Sequence, residues 1–211
     1  MINIDTFIIS LKYREDRRLG ALNQLAKIKL NPDRVQFQDA KYTLRNGAIG
    51  CAMSQAYALS RFLFESNAEY CLIFEDDFEV LNPDNFSDTL ANFLSSNNDW
   101  DVLMLASNVA VPISAPKHPN VFRVVHAQTA SAYLVKRHYA PTLVKTFYEA
   151  ADYLSSRYLT MDTKTQNYFY AIDMIWKPLQ LEANFYAFLP QLVRQRESYS
   201  DIENKLVSYG V

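Results

Sequence analysis

At 211 residues, with 49% apolar and 21% charged side chains, the chain is long enough for one domain with a full hydrophobic core and needs no staples. A net charge of −2 and a pI near 5.9 exclude an electrostatic nucleic-acid binder, and no apolar run is long enough to span a bilayer. Cys51 and Cys71 lie in apolar segments without metal-ligand spacing, as reduced thiols in the cytosol do, and Met1-Ile-Asn-Ile-Asp5 carries no basic leader. A cytoplasmic location is expected, with peripheral contact at the inner face of the membrane left open.

An apolar strand is predicted from Ile4 to Leu11. It ends in Lys12-Tyr-Arg-Glu-Asp-Arg-Arg18, after which Leu19, Leu22, Leu25, Ala26 and Ile28 recur at helical spacing until Asn31-Pro32 breaks the helix. Val35-Gln-Phe37 alternates as a second strand and runs into Asp39. Gly47-Ala-Ile-Gly50 opens a long helix to about Phe64, with Ala52, Ala56, Leu59, Phe62 and Leu63 facing inward. A third strand covers Tyr70 to Phe74. A helix then starts at Asn82-Pro83-Asp84 and runs toward Leu94, and a core strand covers Trp100 to Leu105. Pro112, Pro116 and Pro119 mark a long loop. Strands are predicted over Val121 to Val125 and Thr129 to Val135, and a helix from Tyr139 to about Tyr158. The tail from Asp173 mixes Trp176, Pro178, Phe185, Tyr186 and Pro190 and shows no clear period. The alternation predicts an α/β fold, a single domain whose sheet is flanked by helices, with ligands at the carboxyl ends of its strands. No Walker loop or dinucleotide-type glycine turn is present.

The third strand leads directly into Glu75-Asp76-Asp77. On an extended chain Glu75 and Asp77 share one face and Asp76 takes the other. Carboxylates this close resist ionising together unless a cation lies among them, and their hard oxygens suit Mg2+ or Mn2+. A solvated turn after a strand is the competing reading. The basic segment at residues 12–18 falls at another strand end, where cations and a helix N-terminus suit phosphate. Together the two ends point to a nucleoside diphosphate. Asp-x-Asp-x-Thr/Val, the pattern of a haloacid-dehalogenase-like phosphohydrolase, is broken by Phe78-Glu79.

Four blocks resemble glycosyltransferase family 25, the group of bacterial lipooligosaccharide and collagen galactosyltransferases. They are Ile8-Ile-Ser-Leu11 with Arg14, Asp16, Arg17 and Arg18; Gly47-Ala-Ile-Gly50-Cys51-Ala-Met-Ser54; Leu72-Ile-Phe-Glu75-Asp76-Asp77; and Ala130-Ser-Ala-Tyr133-Leu-Val135. Ala171-Ile-Asp173 and Ser200-Asp201-Ile202 match later blocks more loosely. The resemblance implies a GT-A-like, Rossmann-type mixed sheet. It also implies Mn2+- or Mg2+-dependent, inverting transfer of a hexose, most often galactose, from a UDP-sugar. The acceptor would be a hydroxyl of a glycan or lipid-linked saccharide in lipooligosaccharide or other surface glycan synthesis.

On that resemblance Asp77 is the metal ligand, Glu75 a second ligand or water anchor, and Asp76 the partner of a ribose or sugar hydroxyl. Ser10, Leu11 and Arg14 border the nucleotide. Arg17 or Arg18 either pairs with phosphate or caps a solvated helix start. Asp39 meets uracil or ribose, or caps a turn; Ser54 faces the sugar or bonds its own helix. Asp173, which interrupts the apolar stretch from Tyr168 to Trp176, is the leading general base, ahead of Asp201 and Asp152. Arg194 and Arg196 are candidates to close over the diphosphate, and Glu79 is read as a solvated surface residue. His118, His126 and His138 show no ligand spacing, which leaves His126, near a strand end, as the one candidate third metal ligand. Trp176, Tyr133 and Tyr199 stack on sugar or pack in the core. Residues 1–107 form the donor half and residues 108–211 the acceptor half. Gln55 stands where the family usually has His, which leaves a catalytically impaired nucleotide-sugar or glycan binder as the alternative.

Overall fold

The computed structural model describes residues 3–96, 99–108, 111–112, 118–157, 160–200 and 205–207, of which residues 198–200 and 205–207 are described by backbone alone. Pro116, Tyr158, Asp201 and Ile202, and the side chain of Tyr199, lie outside the described residues. The first half runs β1 (Ile4–Ser10), α1 (Glu15–Leu25), a 3-10 turn (Pro32–Arg34), β2 (Val35–Asp39), α2 (Gly47–Glu65), β3 (Tyr70–Glu75), β4 (Phe78–Val80), α3 (Pro83–Ser96) and β5 (Val102–Met104). It continues with β6 (Val111–Pro112), β7 (Val121–Val125), β8 (Ala132–Lys136), α4 (Ala140–Ser156), α5 (Thr163–Tyr170), α6 (Ile172–Ile175), α7 (Lys177–Glu182), β9 (Phe185–Phe188), β10 (Val193–Gln195), β11 (Ser198–Ser200) and β12 (Lys205–Val207).

Eight strands form one mixed sheet in the order β2-β1-β3-β8-β5-β9-β7-β6. β1, β2 and β3 are parallel, β8 runs antiparallel between β3 and β5, and β9 returns parallel to β5. The chain leaves β1 to one side for β2 and then to the other for β3, so the order reverses at the carboxyl end of β1. Register brings Ser10 opposite Asp39, and Ile9 opposite Glu75. The predicted site residues of three strands therefore share one edge.

Both faces of the sheet are covered, so its strands are apolar on both sides. Phe7, Ile9, Cys71 and Ile73 pack in one cluster with Ala52, Leu59 and Phe62 of α2, Phe147 of α4, and Trp176 between α6 and α7. Ile8, Leu72 and Phe74 face the other way, onto Ala21, Phe86, Leu90 and Phe93 of α1 and α3. The α2 positions read as inward from the sequence are buried, with Leu63 partly so. α1 departs from its predicted face: Leu19 is 61% exposed, and Ala21 and Gln24 are the buried positions. The helix is turned so that Arg17 reaches buried Asp76 while Arg18 pairs with Asp39 at the surface.

The β2–α2 junction gives the Gly-x-x-Gly-Cys-x-x-Ser block its physical meaning. Asn46 caps α2 by accepting from the Ala48 N–H at 3.0 Å. A Cβ on Gly50 would lie 2.1 Å from the Lys41 carbonyl oxygen, so only glycine lets the loop cross the helix there. Ser54 accepts from the Lys41 N–H at 2.7 Å and donates to the Gly50 carbonyl at 2.6 Å. At the other end of α2, Arg137 donates to the carbonyls of Phe62, Leu63, Ser66 and Ala68, closing the helix terminus. Among the described residues no helix is long and apolar enough to cross a membrane.

Candidate active site

Glu75 ends β3, and Asp76 and Asp77 form the turn into β4. Asp76 is buried and receives Arg17 Nη1 at 2.8 Å, which also lies 3.5 Å from Asp77. Burial opposes the charge of Arg17, but Asp76 and Asp77 more than offset it, and its pKa is raised. The Asp76 carboxylate, expected from the sequence to bond a ribose or sugar hydroxyl, is ion-paired with Arg17. Arg17, expected at phosphate or at a solvated helix start, clamps the acidic turn.

The far side of the turn is held by β10, which pairs antiparallel with β4. Gln195 Nε2 reaches Glu75 Oε2 at 3.3 Å and Asp77 Oδ2 at 3.5 Å, so one amide spans the two carboxylates predicted to share a face. Arg196 donates its backbone N–H to the Asp77 carbonyl at 2.8 Å and its guanidinium to the Asp76 carbonyl at 3.2 Å. The guanidinium packs against Gly20, where a Cβ would come within 2.7 Å. Arg194 pairs with Glu79 at 2.8 Å. Both arginines, expected over the diphosphate, fasten the C-terminal strand to β4 and the acidic turn, and Glu79 pairs with Arg194 at the surface.

Glu75 is enclosed by neutral donors. Cys51 Sγ and Gln55 Nε2 each approach Oε1 at 3.5 Å. Gln55 is fully buried, donates to the Ala130 carbonyl at 3.2 Å and accepts from Tyr133 Oη at 2.8 Å. Glutamine is thus a satisfied bridge between α2, β3 and β8 at the position where the family resemblance expected His. Burial first, then repulsion from Asp77 and Asp76, pushes the Glu75 carboxyl up to about 7 from 4.5. An acid whose pKa is raised in the fold costs stability only as it ionises, so its penalty is absent below about 4.5 and complete above about 7. In chelator-treated protein, Glu75→Gln is expected to gain roughly 2–3 kcal/mol over the native chain as pH rises through that window, read by denaturant titration. An equal stability difference at both ends of the window would contradict it.

These residues meet a cavity of about 290 Å3, whose lining includes Glu75, Ser131, Thr129, Asn167, Asp173 and Gln195. β8 brings its wall against β3: the Glu75 N–H donates to the Ser131 carbonyl at 2.7 Å. Asp173 enters from α6. Its pKa is raised by burial, against the lowering effects of the Thr129 N–H and Lys177. Thr129 adopts φ 77°, a left-handed conformation that costs a β-branched residue on the order of 1–3 kcal/mol, and its N–H is thereby aimed at Asp173. Glu75 and Asp173, far apart in sequence, face one space. Asp152, the weaker candidate base, is exposed on α4 and outside the cavity lining.

The carboxyl ends of β1 and β2 lie beside that of β3 and form a shelf of residues expected at the nucleotide. Ser10 is buried, with its Oγ bonded to the Leu11 carbonyl at 3.3 Å. Arg14 begins α1 and pairs with Asp16 at 2.8 Å. Asp39 is ion-paired with Arg18, whose guanidinium lies 5.0 Å over the Phe37 ring. Tyr13 and Tyr42, which the sequence did not single out, are more than half exposed here and meet edge to face at 6.3 Å. Ser54 stands apart from both cavity and shelf, because each of its hydrogen bonds goes to backbone. Trp176 and Tyr133 are wholly buried, Trp176 donating to the Ala127 carbonyl at 3.1 Å, so their stacking partners are core side chains. His126 is exposed and outside the cavity lining.

Among the described residues no group of three His, Cys, Asp or Glu side chains forms a metal cage. The donor set nevertheless fits a divalent ion of another kind. Glu75 and Asp77 converge on one amide and repel each other, and Mg2+ and Mn2+ are commonly held by one or two carboxylates with substrate phosphates and water completing the shell.

No curated protein sequence matches the chain. Among solved structures it is similar to mannose-1-phosphate geranyltransferase from Thermus thermophilus, with 11% identity, 89% of this chain and 74% of that one covered, and a TM-score of 0.54. It is also similar to A197 from STIV, with 14% identity, coverage of 98% and 93%, and a TM-score of 0.52. At these identities the likeness speaks to the fold, a single GT-A-like domain built on a mixed sheet flanked by helices. The family model for glycosyltransferase family 25 (LPS biosynthesis protein) matches residues 32–163, more than half of the chain. That span contains the glycine-hinged start of α2, the Glu75–Asp77 turn and the β8 wall, whereas Arg17, Asp173 and Gln195 lie outside it. With a family model matched over most of its length on such a sheet, the chain belongs to glycosyltransferase family 25 and is a glycosyltransferase.

Proposed function

We propose that this chain transfers a hexose, most simply galactose, from a UDP-sugar to a hydroxyl of a glycan or lipid-linked saccharide, with inversion. The setting is lipooligosaccharide or other surface glycan assembly, in the cytoplasm at the inner face of the membrane. The observation that carries this reading is that Glu75 and Asp173 line one cavity beside the strand-order reversal, where α/β sheets bind ligands. The nucleotide lies along the β1–β2 shelf, bordered by Ser10, Leu11, Arg14 and Asp39, with Tyr13 and Tyr42 available to the uracil face. Residues 1–107 thus supply most of the donor side, and residues 108–211 supply Asp173 on the acceptor side.

Asp77 and Glu75 would hold Mn2+ or Mg2+, which neutralises negative charge growing on the departing diphosphate. Gln195 spans these two carboxylates, Arg17 pairs with Asp77, and Arg196 pins the turn's backbone. Asp173 accepts the proton of the acceptor hydroxyl as its oxygen bonds the anomeric carbon and the bond to the diphosphate oxygen breaks. Burial raises the proton affinity of Asp173, which suits it to that transfer, and the Thr129 N–H fixes its orientation. Gln55, with every polar atom engaged, supports a structural role at that position rather than a lost catalytic group.

Thermal unfolding with a panel of UDP-sugars, each with and without Mn2+, tests the reading. UDP-galactose with Mn2+ is expected to raise the melting temperature, since a ligand at about 100 times its Kd adds roughly 2.7 kcal/mol. Release of UDP should accompany incubation. A panel in which no UDP-sugar stabilises the protein and none is hydrolysed would sink it.

A further inference from the structure

One serine of the cavity wall has no part in the chemistry above. Ser131 is 2% exposed and lines the cavity, and its Oγ has no hydrogen-bond partner among the described residues. Its backbone carbonyl is already engaged, receiving the Glu75 N–H at 2.7 Å. The side chain is therefore held beside the carboxylate that faces the donor diphosphate, while Asp173 borders the cavity from α6. A buried hydroxyl left unsatisfied is destabilising, and alanine would occupy the same backbone without that cost. No described side chain or backbone group partners this hydroxyl, and a ligand hydroxyl in the cavity would.

Resting on the transferase reading of this cavity, we infer that Ser131 is a specificity-determining residue whose Oγ hydrogen-bonds a ring hydroxyl of the donor hexose. The cavity would then hold the transferred sugar between Ser131 and Asp173, with the nucleotide outside it on the shelf. A site that presents a buried hydroxyl to a sugar discriminates against the deoxy analogue, because that analogue leaves the protein group unpaired.

The test compares Ser131→Ala with the native protein in three measurements. Without ligand, the variant is expected to melt at the same temperature or higher, as removal of an unsatisfied buried hydroxyl predicts. With Mn2+, calorimetry should give the same UDP affinity within about twofold, whereas UDP-galactose binding or kcat/KM falls about tenfold. Across a series of monodeoxy UDP-galactoses, one analogue should lose about tenfold on the native protein and nothing further on the variant, the signature of a direct pair. A melting temperature lowered by several degrees would mark the hydroxyl as structural and overturn the inference. Native-like UDP-galactose binding by the variant would overturn it too, with the transferase reading intact. Failure of the native protein to bind any UDP-hexose removes the transferase reading and this inference together.

Discussion

Asp77→Ala is expected to abolish Mn2+-dependent UDP binding while the protein remains folded. Changes to residues merely orienting a metal ligand cost about 10–100-fold in affinity, so loss of a ligand itself should cost at least about a hundredfold. The fold should survive because Asp77 lies in a turn pinned through its backbone: its carbonyl receives the Arg196 N–H at 2.8 Å whatever the side chain. Its carboxylate also repels Glu75, so removal lowers a strain that pushes the Glu75 carboxyl up to about 7. Calorimetry with UDP and Mn2+, alongside circular dichroism, separates the two effects. Unchanged affinity in a folded variant would move the cation elsewhere. Unfolding would make the turn, rather than the metal, the reason for the acid.

Asp173→Asn is expected to lower kcat by roughly 10²–10⁴ and to leave donor affinity nearly unchanged. Asparagine retains the size of the side chain and its oxygen can still receive the Thr129 N–H, but it cannot take a proton. The native pH profile carries a further signature. Because burial raises the Asp173 pKa, the acid limb of kcat should lie above the ordinary aspartate value of 3.8. Activity falls as pH drops through that raised pKa, since the base is then protonated. Single-turnover assays over pH, with UDP binding measured in parallel, check both statements. Normal turnover in Asp173→Asn would assign the proton transfer to another group.

The acidic triplet and its place at a strand end were legible because two local patterns coincide: an apolar run of strand length, and charge beginning where it stops. Gly50 and Ser54 were legible as a pair, yet their purpose was not. Spacing along α2 puts Ser54 one turn after Gly50, but only the path of residues 40–43 across that helix shows both serving the loop. The same reason separates Trp176 and Tyr133 from any sugar. An aromatic side chain has the same sequence signature in a core and on a stacking surface, and burial against other rings distinguishes them. β9 was missed as a strand although it lies within the sheet, because Phe185-Tyr-Ala-Phe188 is short and all apolar, without the alternation that marks a half-exposed strand.

What residue order determined by itself was the sheet with its flanking helices and the chemistry gathered at the end of β3, since periodicity and clustered charge are local properties of the chain. Which groups answer those acids was decided only by tertiary structure. Arg17, Gln55, Ser131, Asp173 and Gln195 reach Glu75–Asp77 or their shared cavity from α1, α2, the β8 wall, α6 and β10. Their separation along the chain carries no trace of that meeting, because strand order and the burial of both sheet faces set it.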